Sequence, residues 1–351
     1  MMIRLFAGVT LSLPLFLLII GSTLTEAQIE GRSCVANQTM GVYKRLKQCP
    51  SLYQKWLQTT PAANVPEDGI WCCPNEATSN RLRSIREAPT PESYAKAKAK
   101  CEEYSKLAEA RPKKFSIVAT VGFTPGYGTY FLCSGTVISP RFVLTAAHCT
   151  YGYVYSTGVS DFWVRVGDAD LNWTHNDKNA QQIRVIERII HPLYKGFGKY
   201  HDIALLKLEK DIDFNERVKP ACLPYSLPDN AAPEVTAIGH GIGYFYGPNV
   251  SKKLIKAIPI LVTLLECNDT YKEVLPSGVM ADSQLCAGQK KINICLASGG
   301  PLLTVNNDHP RMCSLIGITS MGKDCDGATP VIYTRVYHYV PWIQSIVWPN
   351  S

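Results

Sequence analysis

The chain has 351 residues, 13 of them cysteine, and a formal net charge of +7. That charge is modest, and Arg81, Arg83, Arg86, Lys96, Lys98 and Lys100 supply part of it from one stretch that reads as solvated linker, so no nucleic-acid partner is expected. So many cysteines point to an oxidising compartment and a disulfide framework; no metal and no cofactor is expected.

The N-terminus carries Met1, Met2 and Arg4, an apolar run to Ile20, and small or polar residues around Thr25 and Ala27. Residues 1–27 therefore read as a secretory signal peptide cut after Ala27. A membrane span is the rival reading, but the run holds Thr10, Ser12 and Pro14, and no second hydrophobic segment follows. The protein is expected to be secreted and extracellular, without membrane association once the signal is removed. Sequons at Asn37, Asn172, Asn249 and Asn268 agree with export as glycosylation sites.

Residues 28–74 form a short segment running from Cys34 to the pair Cys72-Cys73 and Pro74, too small to hold a core without cross-links. Residues 75–114 are polar and charged, carry Pro89, Pro91 and Pro112, and read as a basic linker with a helix-prone piece at Tyr94–Leu107. Residues 115–351 hold short β-type runs, among them Thr136–Thr145, Phe162–Val166, Ile183–Ile190, Ile203–Leu208, Ser314–Thr319 and Val331–Val336, separated by Gly, Pro, Asn and Asp clusters. This spacing predicts an all-β sandwich or barrel. The apolar residues of Tyr337–Trp348 predict a terminal helix packed on that body.

Three segments carry chemistry: Leu144-Thr-Ala-Ala-His148-Cys149, His201-Asp202-Ile-Ala-Leu-Leu and Ser298-Gly-Gly-Pro301-Leu. In this order, with Cys133 before the histidine and Gly317-Ile-Thr-Ser320 and Tyr333-Thr-Arg-Val336 behind the serine, they resemble the chymotrypsin/trypsin family over essentially all of residues 115–351. The resemblance implies two antiparallel six-stranded β-barrels with a C-terminal helix. It also implies a triad in which His148 is the general base, Asp202 holds its imidazole in the right tautomer and Ser298 is the nucleophile. A serine hydroxyl needs a base within hydrogen-bond reach to attack at neutral pH. The competing reading is that the three persist only as parts of the fold.

The triad's surroundings favour that competing reading. The family pattern Cys-x-Gly-Asp-Ser-Gly-Gly-Pro becomes Cys295-Leu296-Ala297-Ser298-Gly299-Gly300-Pro301, one residue short and without the Gly and the Asp. In the family that Gly supplies one oxyanion donor, and losing such a donor costs about 10²–10³ in rate. The Asp pairs, in active members, with an amine created by cleavage before Ile-Val-Gly-Gly; the aligned Tyr104-Ser105-Lys106-Leu107 does not resemble that motif. The specificity-pocket positions are Asn293, Ile294, Met321, Gly322 and Val331. Asn293 replaces the Asp of the pocket floor, and Val331, in place of a wall glycine, is expected to fill the cavity.

Resemblance to the family also pairs Cys133 with Cys149, Cys267 with Cys286, Cys295 with Cys325, and Cys101 with Cys222 as a tether between prodomain and protease domain. Residues 28–74 resemble the clip domain of arthropod proteases with its second and fourth cysteines missing, which leaves Cys34–Cys72 and Cys49–Cys73. Cys313 is left over, as a buried thiol or as an intermolecular bridge. The chain is thus similar to arthropod clip-domain serine protease homologues. That resemblance implies an inactive cofactor or adaptor in an extracellular, melanisation-type immune cascade, with active clip proteases or microbial surfaces as partners. A weak or unusual endopeptidase using His148, Asp202 and Ser298 is the alternative.

Overall fold

The computed structural model describes residues 33–36, 39–45, 49, 70–74, 91–107, 116–124, 129–150, 161–168, 180–196, 199–226, 234–242, 250–275, 277–288, 298–323 and 329–349. The chain divides into two compact units, residues 1–76 and 77–351.

In the first unit β1 (Ser33–Ala36), β2 (Thr39–Arg45) and β3 (Ile70–Pro74) form an antiparallel sheet with β2 in the middle. The ladder sets Cys34 across from Gly41, Cys72 across from Tyr43 and Cys73 across from Val42. Cys49 is buried and its thiol is free, in contrast to the Cys49–Cys73 bond that the clip resemblance implies. β3 is paired with β2 along its length, which fixes the Cys73 backbone in the sheet, whereas Cys49 lies outside the strands. Cys34 and Cys72 lie on β1 and β3, but the side chains that would make their expected bond are outside the described parts, and the expected Cys295–Cys325 pair and the sequons at Asn37, Asn172 and Asn249 lie outside the described residues.

The second unit opens with a 3-10 turn (Pro91–Tyr94) that runs into α1 (Ala95–Lys106). Tyr94, Ala97, Cys101 and Tyr104 recur at three- and four-residue spacing and all four are buried, so one stripe of this polar helix faces the body. Cys101 is bonded to Cys222. Tyr94 stacks on Tyr337, with ring centres 4.4 Å apart and planes 8° from parallel. The amide of Ala97 donates to Oε1 of Gln344 at 2.8 Å, and Lys96 Nζ donates to the carbonyl of Trp348 at 2.8 Å. The stretch read from the sequence as a linker therefore contains a packed element.

Six strands then close a barrel: β4 (Val118–Phe123), β5 (Tyr130–Ser139), β6 (Phe142–Thr145), β7 (Phe162–Val166), β8 (Gln181–Ile190) and β9 (Ala204–Leu208), ordered β4-β5-β6-β9-β8-β7. On β7 the period is two: Phe162, Val164 and Val166 are fully buried and fill the barrel, while Trp163 and Arg165 are partly exposed. Strand β5 is buried on both faces from Cys133 to Ser139, because it also touches strands of the second sheet.

That second sheet has β10 (Thr236–Ile242), β11 (Val250–Ala257), β12 (Ile260–Leu261), β13 (Gln284–Gly288), β14 (Pro301–Val305), β15 (Cys313–Met321) and β16 (Val331–Arg335) in the order β11-β10-β14-β15-β16-β13-β12. It curls into a half-barrel and, among the described residues, is not closed by hydrogen bonds between β11 and β12. The two antiparallel barrels that the resemblance implies are present, one closed and the other, among the described residues, a half-barrel.

Helix α2 (Leu264–Tyr271) begins at Thr263, whose hydroxyl accepts the amide of Glu266 at 3.3 Å. Disulfide Cys267–Cys286 pins α2 to β13. Helix α3 (Val336–Val347) follows β16 directly and buries Val336, Tyr339, Val340, Ile343 and Val347, the periodic apolar face expected of a terminal helix.

Candidate active site

Just after β6 the chain turns through Ala146 and Ala147, both fully buried; only small side chains fit there, and the next residue, His148, is left half-exposed. Disulfide Cys133–Cys149 ties this turn back to β5. Opposite it, Asp202 precedes β9 and is 2% exposed. Its Oδ2 accepts from His148 Nδ1 at 2.7 Å and from the Ser320 hydroxyl at 2.6 Å, while Oδ1 accepts the His148 amide at 2.9 Å. The Thr334 hydroxyl donates to the Asp202 carbonyl at 2.8 Å. Burial pushes this carboxyl up, but the His148 charge, the His148 and Ser320 hydrogen bonds and the His148 amide outweigh it and hold the group below its ordinary range. The carboxylate therefore fixes the histidine with its proton on Nδ1 and leaves Nε2 free to accept one.

Ser298 lies on the turn leading into β14, and its carbonyl accepts the amide of Ser134 on β5 at 2.8 Å. The next residue must be glycine. Gly299 has φ of 79°, and a Cβ there would sit 2.3 Å from the Ser134 carbonyl oxygen and 2.3 Å from Thr145 Oγ1. The serine turn is thus seated on the first barrel, on β5 and on the end of β6 from which the His148 turn leads. No hydrogen bond joins the Ser298 hydroxyl to His148 among the described residues; the neighbour of Nε2 is Cys149 Sγ at 3.8 Å. Cys133, His148 and Cys149 cluster closely enough to hold a metal, but the two sulfurs are bonded to each other and are not available as thiolates.

Of the expected specificity-pocket positions, Met321, Gly322 and Val331 lie together at the ends of β15 and β16, while Asn293, Ile294, Leu296 and Ala297 lie outside the described residues. A methyl built on Gly322 would meet Cγ2 of Val331 at 3.6 Å, an ordinary van der Waals contact. The Val331 side chain is thus the group that a methyl at position 322 would touch.

Behind Asp202 stands a group that the sequence reading missed. His201 has φ of 54°, in the left-handed region, and its Nδ1 lies 3.0 Å from the Tyr339 hydroxyl. His191, 1% exposed, stacks on His201 at 5.4 Å and meets Tyr339 and Trp342 edge-on, both at 4.9 Å. Burial, with His201 and His338 adding to it, pushes His191 down to about 2; burial, with His338 and Lys195, pushes His201 down to about 4. The one signal in the chain was the histidine directly before Asp202; nothing in the spacing links it to His191 or to α3.

A closed six-stranded barrel, a half-barrel and a buried aspartate on a histidine between them are the frame of a trypsin-type domain. The Trypsin family model matches residues 106–343, and the chain belongs to that family. It is 37% identical to Serine protease Hayan of Drosophila melanogaster over 67% of this chain and 37% of the relative. It is 35% identical to Serine protease snk of the same organism over 66% of this chain and 54% of the relative, so it spans only about a third to a half of these two proteins. CLIP domain-containing serine protease C9 of Anopheles gambiae is 34% identical over 68% of this chain and 67% of its own length.

Proposed function

We propose that the protein is a secreted, non-catalytic member of the trypsin family that serves as a cofactor or adaptor in an extracellular protease cascade of the melanisation type. Its partners would be active clip-domain proteases or microbial surfaces. The observation that carries this reading is that Val331 stands where the family has a wall glycine, with its Cγ2 3.6 Å from where a methyl on Gly322 would sit, which we read as narrowing the space a substrate side chain would enter. Two further features support it. The residues aligned with the activation motif, Tyr104–Leu107, sit at the end of α1, where Tyr104 is buried against Phe214 in an edge-on ring contact at 6.1 Å. The nucleophile loop lacks the glycine and aspartate that supply an oxyanion donor and the partner of a new N-terminus. An intact His148–Asp202 pair without these parts is a preserved scaffold: family surfaces remain available to a partner while hydrolysis does not proceed. The cascade setting rests on the relatives, whose names include a CLIP domain-containing protease and a clotting factor subunit.

The same His148–Asp202 geometry favours a second reading, a weak endopeptidase of unusual specificity. The two separate on hydrolysis of Arg-, Lys- and Phe-terminated reporter peptides by purified protein. No turnover is expected; turnover that disappears in Ser298→Ala would overturn the non-catalytic reading.

A further inference from the structure

A pocket of about 120 Å³ lies against the second sheet, α2 and the start of α3. Its walls are apolar: Leu261 from β12, Leu264 from α2, Leu285 from β13 and Ile316 from β15, with Leu285 and Ile316 belonging to the core of the sheet. Its polar groups are Arg335, the last residue of β16, and Tyr337 of α3. None of the residues singled out for catalysis lines it.

Arg335 is the unusual member. Its Nε donates to the carbonyl of Gln284 at 3.3 Å, which leaves the guanidinium's terminal nitrogens, and no ion pair engages them among the described residues. Burial lowers the Arg335 pKa; exposed Asp282 favours its charged form from a distance but does not bridge to it. A guanidinium stays charged in proteins, so a partly buried one that Asp282 favours only from a distance carries a desolvation cost that is only partly compensated. An anion delivered to those nitrogens regains that cost, and arginine presents a planar fork matched to a carboxylate.

We propose that this pocket binds a small apolar carboxylate, with its carboxylate on the Arg335 fork and its hydrocarbon body against Leu261, Leu264, Leu285 and Ile316. The size agrees with that class. An apolar cavity of about 150 Å³ takes up benzene, whereas drug-sized ligands need roughly 300 Å³ or more; a chain of about five or six carbons suits the smaller space. Tyr337, on the pocket wall, is also the ring on which Tyr94 stacks, so an occupied pocket adjoins the seat of the α1 segment. The site is independent of the non-catalytic reading and stands or falls separately from it.

The test is calorimetric titration of the full-length protein with hexanoate, hexan-1-ol and acetate, repeated on Arg335→Gln. Hexanoate is expected to saturate one site and to bind about tenfold or more tighter than hexan-1-ol, a difference of about 1.4 kcal/mol per factor of ten, while acetate, without the apolar body, does not saturate. In Arg335→Gln the preference for the acid over the alcohol should vanish. Equal binding of acid and alcohol by the unaltered protein, or no saturable hexanoate binding, overturns the proposal, and this comparison stands even if the variant fails to fold. A preference that survives in a folded Arg335→Gln overturns it as well.

Discussion

Single residues hold the site at three places, and each gives a measurable effect. At Gly299 an alanine would combine a positive φ with contacts of 2.3 Å to a backbone carbonyl and to the Thr145 hydroxyl. Gly299→Ala should cost on the order of 3 kcal/mol and lower the melting temperature by roughly 5–10 °C for a domain of this size; a melting temperature within a degree of the parent would contradict the seating of the serine turn. The histidine group behind Asp202 sets a pH dependence. His191 and His201 have folded-state values depressed below those of the unfolded chain, so below about pH 6.5 the unfolded state binds more protons than the folded state, and stability falls as pH falls. For His201 the loss runs from about 6.5 in the unfolded chain down to about 4, where the folded form also protonates. Depressed Asp202 adds a loss of the same sign at lower pH, as it is protonated. His201→Asn tolerates the left-handed backbone and can still bond the Tyr339 hydroxyl; it should keep neutral-pH stability within about 1 kcal/mol and flatten the acid loss between pH 6.5 and 4, as denaturant titrations across that range would show. An unchanged acid slope would remove His201 from the account.

Elements differ in how clearly the sequence announces them. Strand β7 alternates and was legible as a strand from Phe162 to Val166; α3 shows helical periodicity and was legible at nearly its full length. Helix α1 was visible as a helix-prone piece, but its docking was not: Ala, Lys and Glu dominate it, and the buried stripe of Tyr94, Ala97, Cys101 and Tyr104 has meaning only against α3 and Cys222, more than a hundred residues away in the chain. That the second barrel is a half-barrel among the described residues was equally hidden, since closure depends on whether β11 and β12 meet, and neither strand encodes that alone. The docking of α1 can be measured. Cys101–Cys222 closes a loop with a sequence separation of 121 residues, and the chain-entropy model gives about 4.7 kcal/mol for a loop of about 100. Replacing both cysteines by serine should lower the unfolding free energy by a few kcal/mol. Gln344→Ala, which removes the acceptor of the Ala97 amide, should raise hydrogen exchange in residues 95–106 well above that of β4–β9. Equal protection in the two places would mean that α1 does not depend on that contact.

For the molecule as a whole, family membership was legible from three short segments in order, because their chemistry demands particular residue types: the histidine turn, the aspartate before β9 and the glycine after the serine. The pocket lined by Leu261, Leu285 and Arg335 was not legible, since its lining comes from distant strands and two helices. The packed α1 also determines what proteolysis does. A cut after Arg86 lies before Cys101 and should release the first unit from the second, whereas a cut after Lys114 should leave the N-terminal piece attached through Cys101–Cys222, so that two bands separate only on reduction. The central claim, that a preserved His148–Asp202 pair serves a trypsin fold that does not hydrolyse peptides, is tested most directly by labelling with an organophosphonate probe, which reports an activated serine without requiring an open specificity pocket. Full-length protein, before and after limited tryptic cleavage, is expected to remain unlabelled to the same degree as Ser298→Ala. Stoichiometric labelling of Ser298 in the unaltered chain, lost in Ser298→Ala, would show that the nucleophile is activated and would contradict the account.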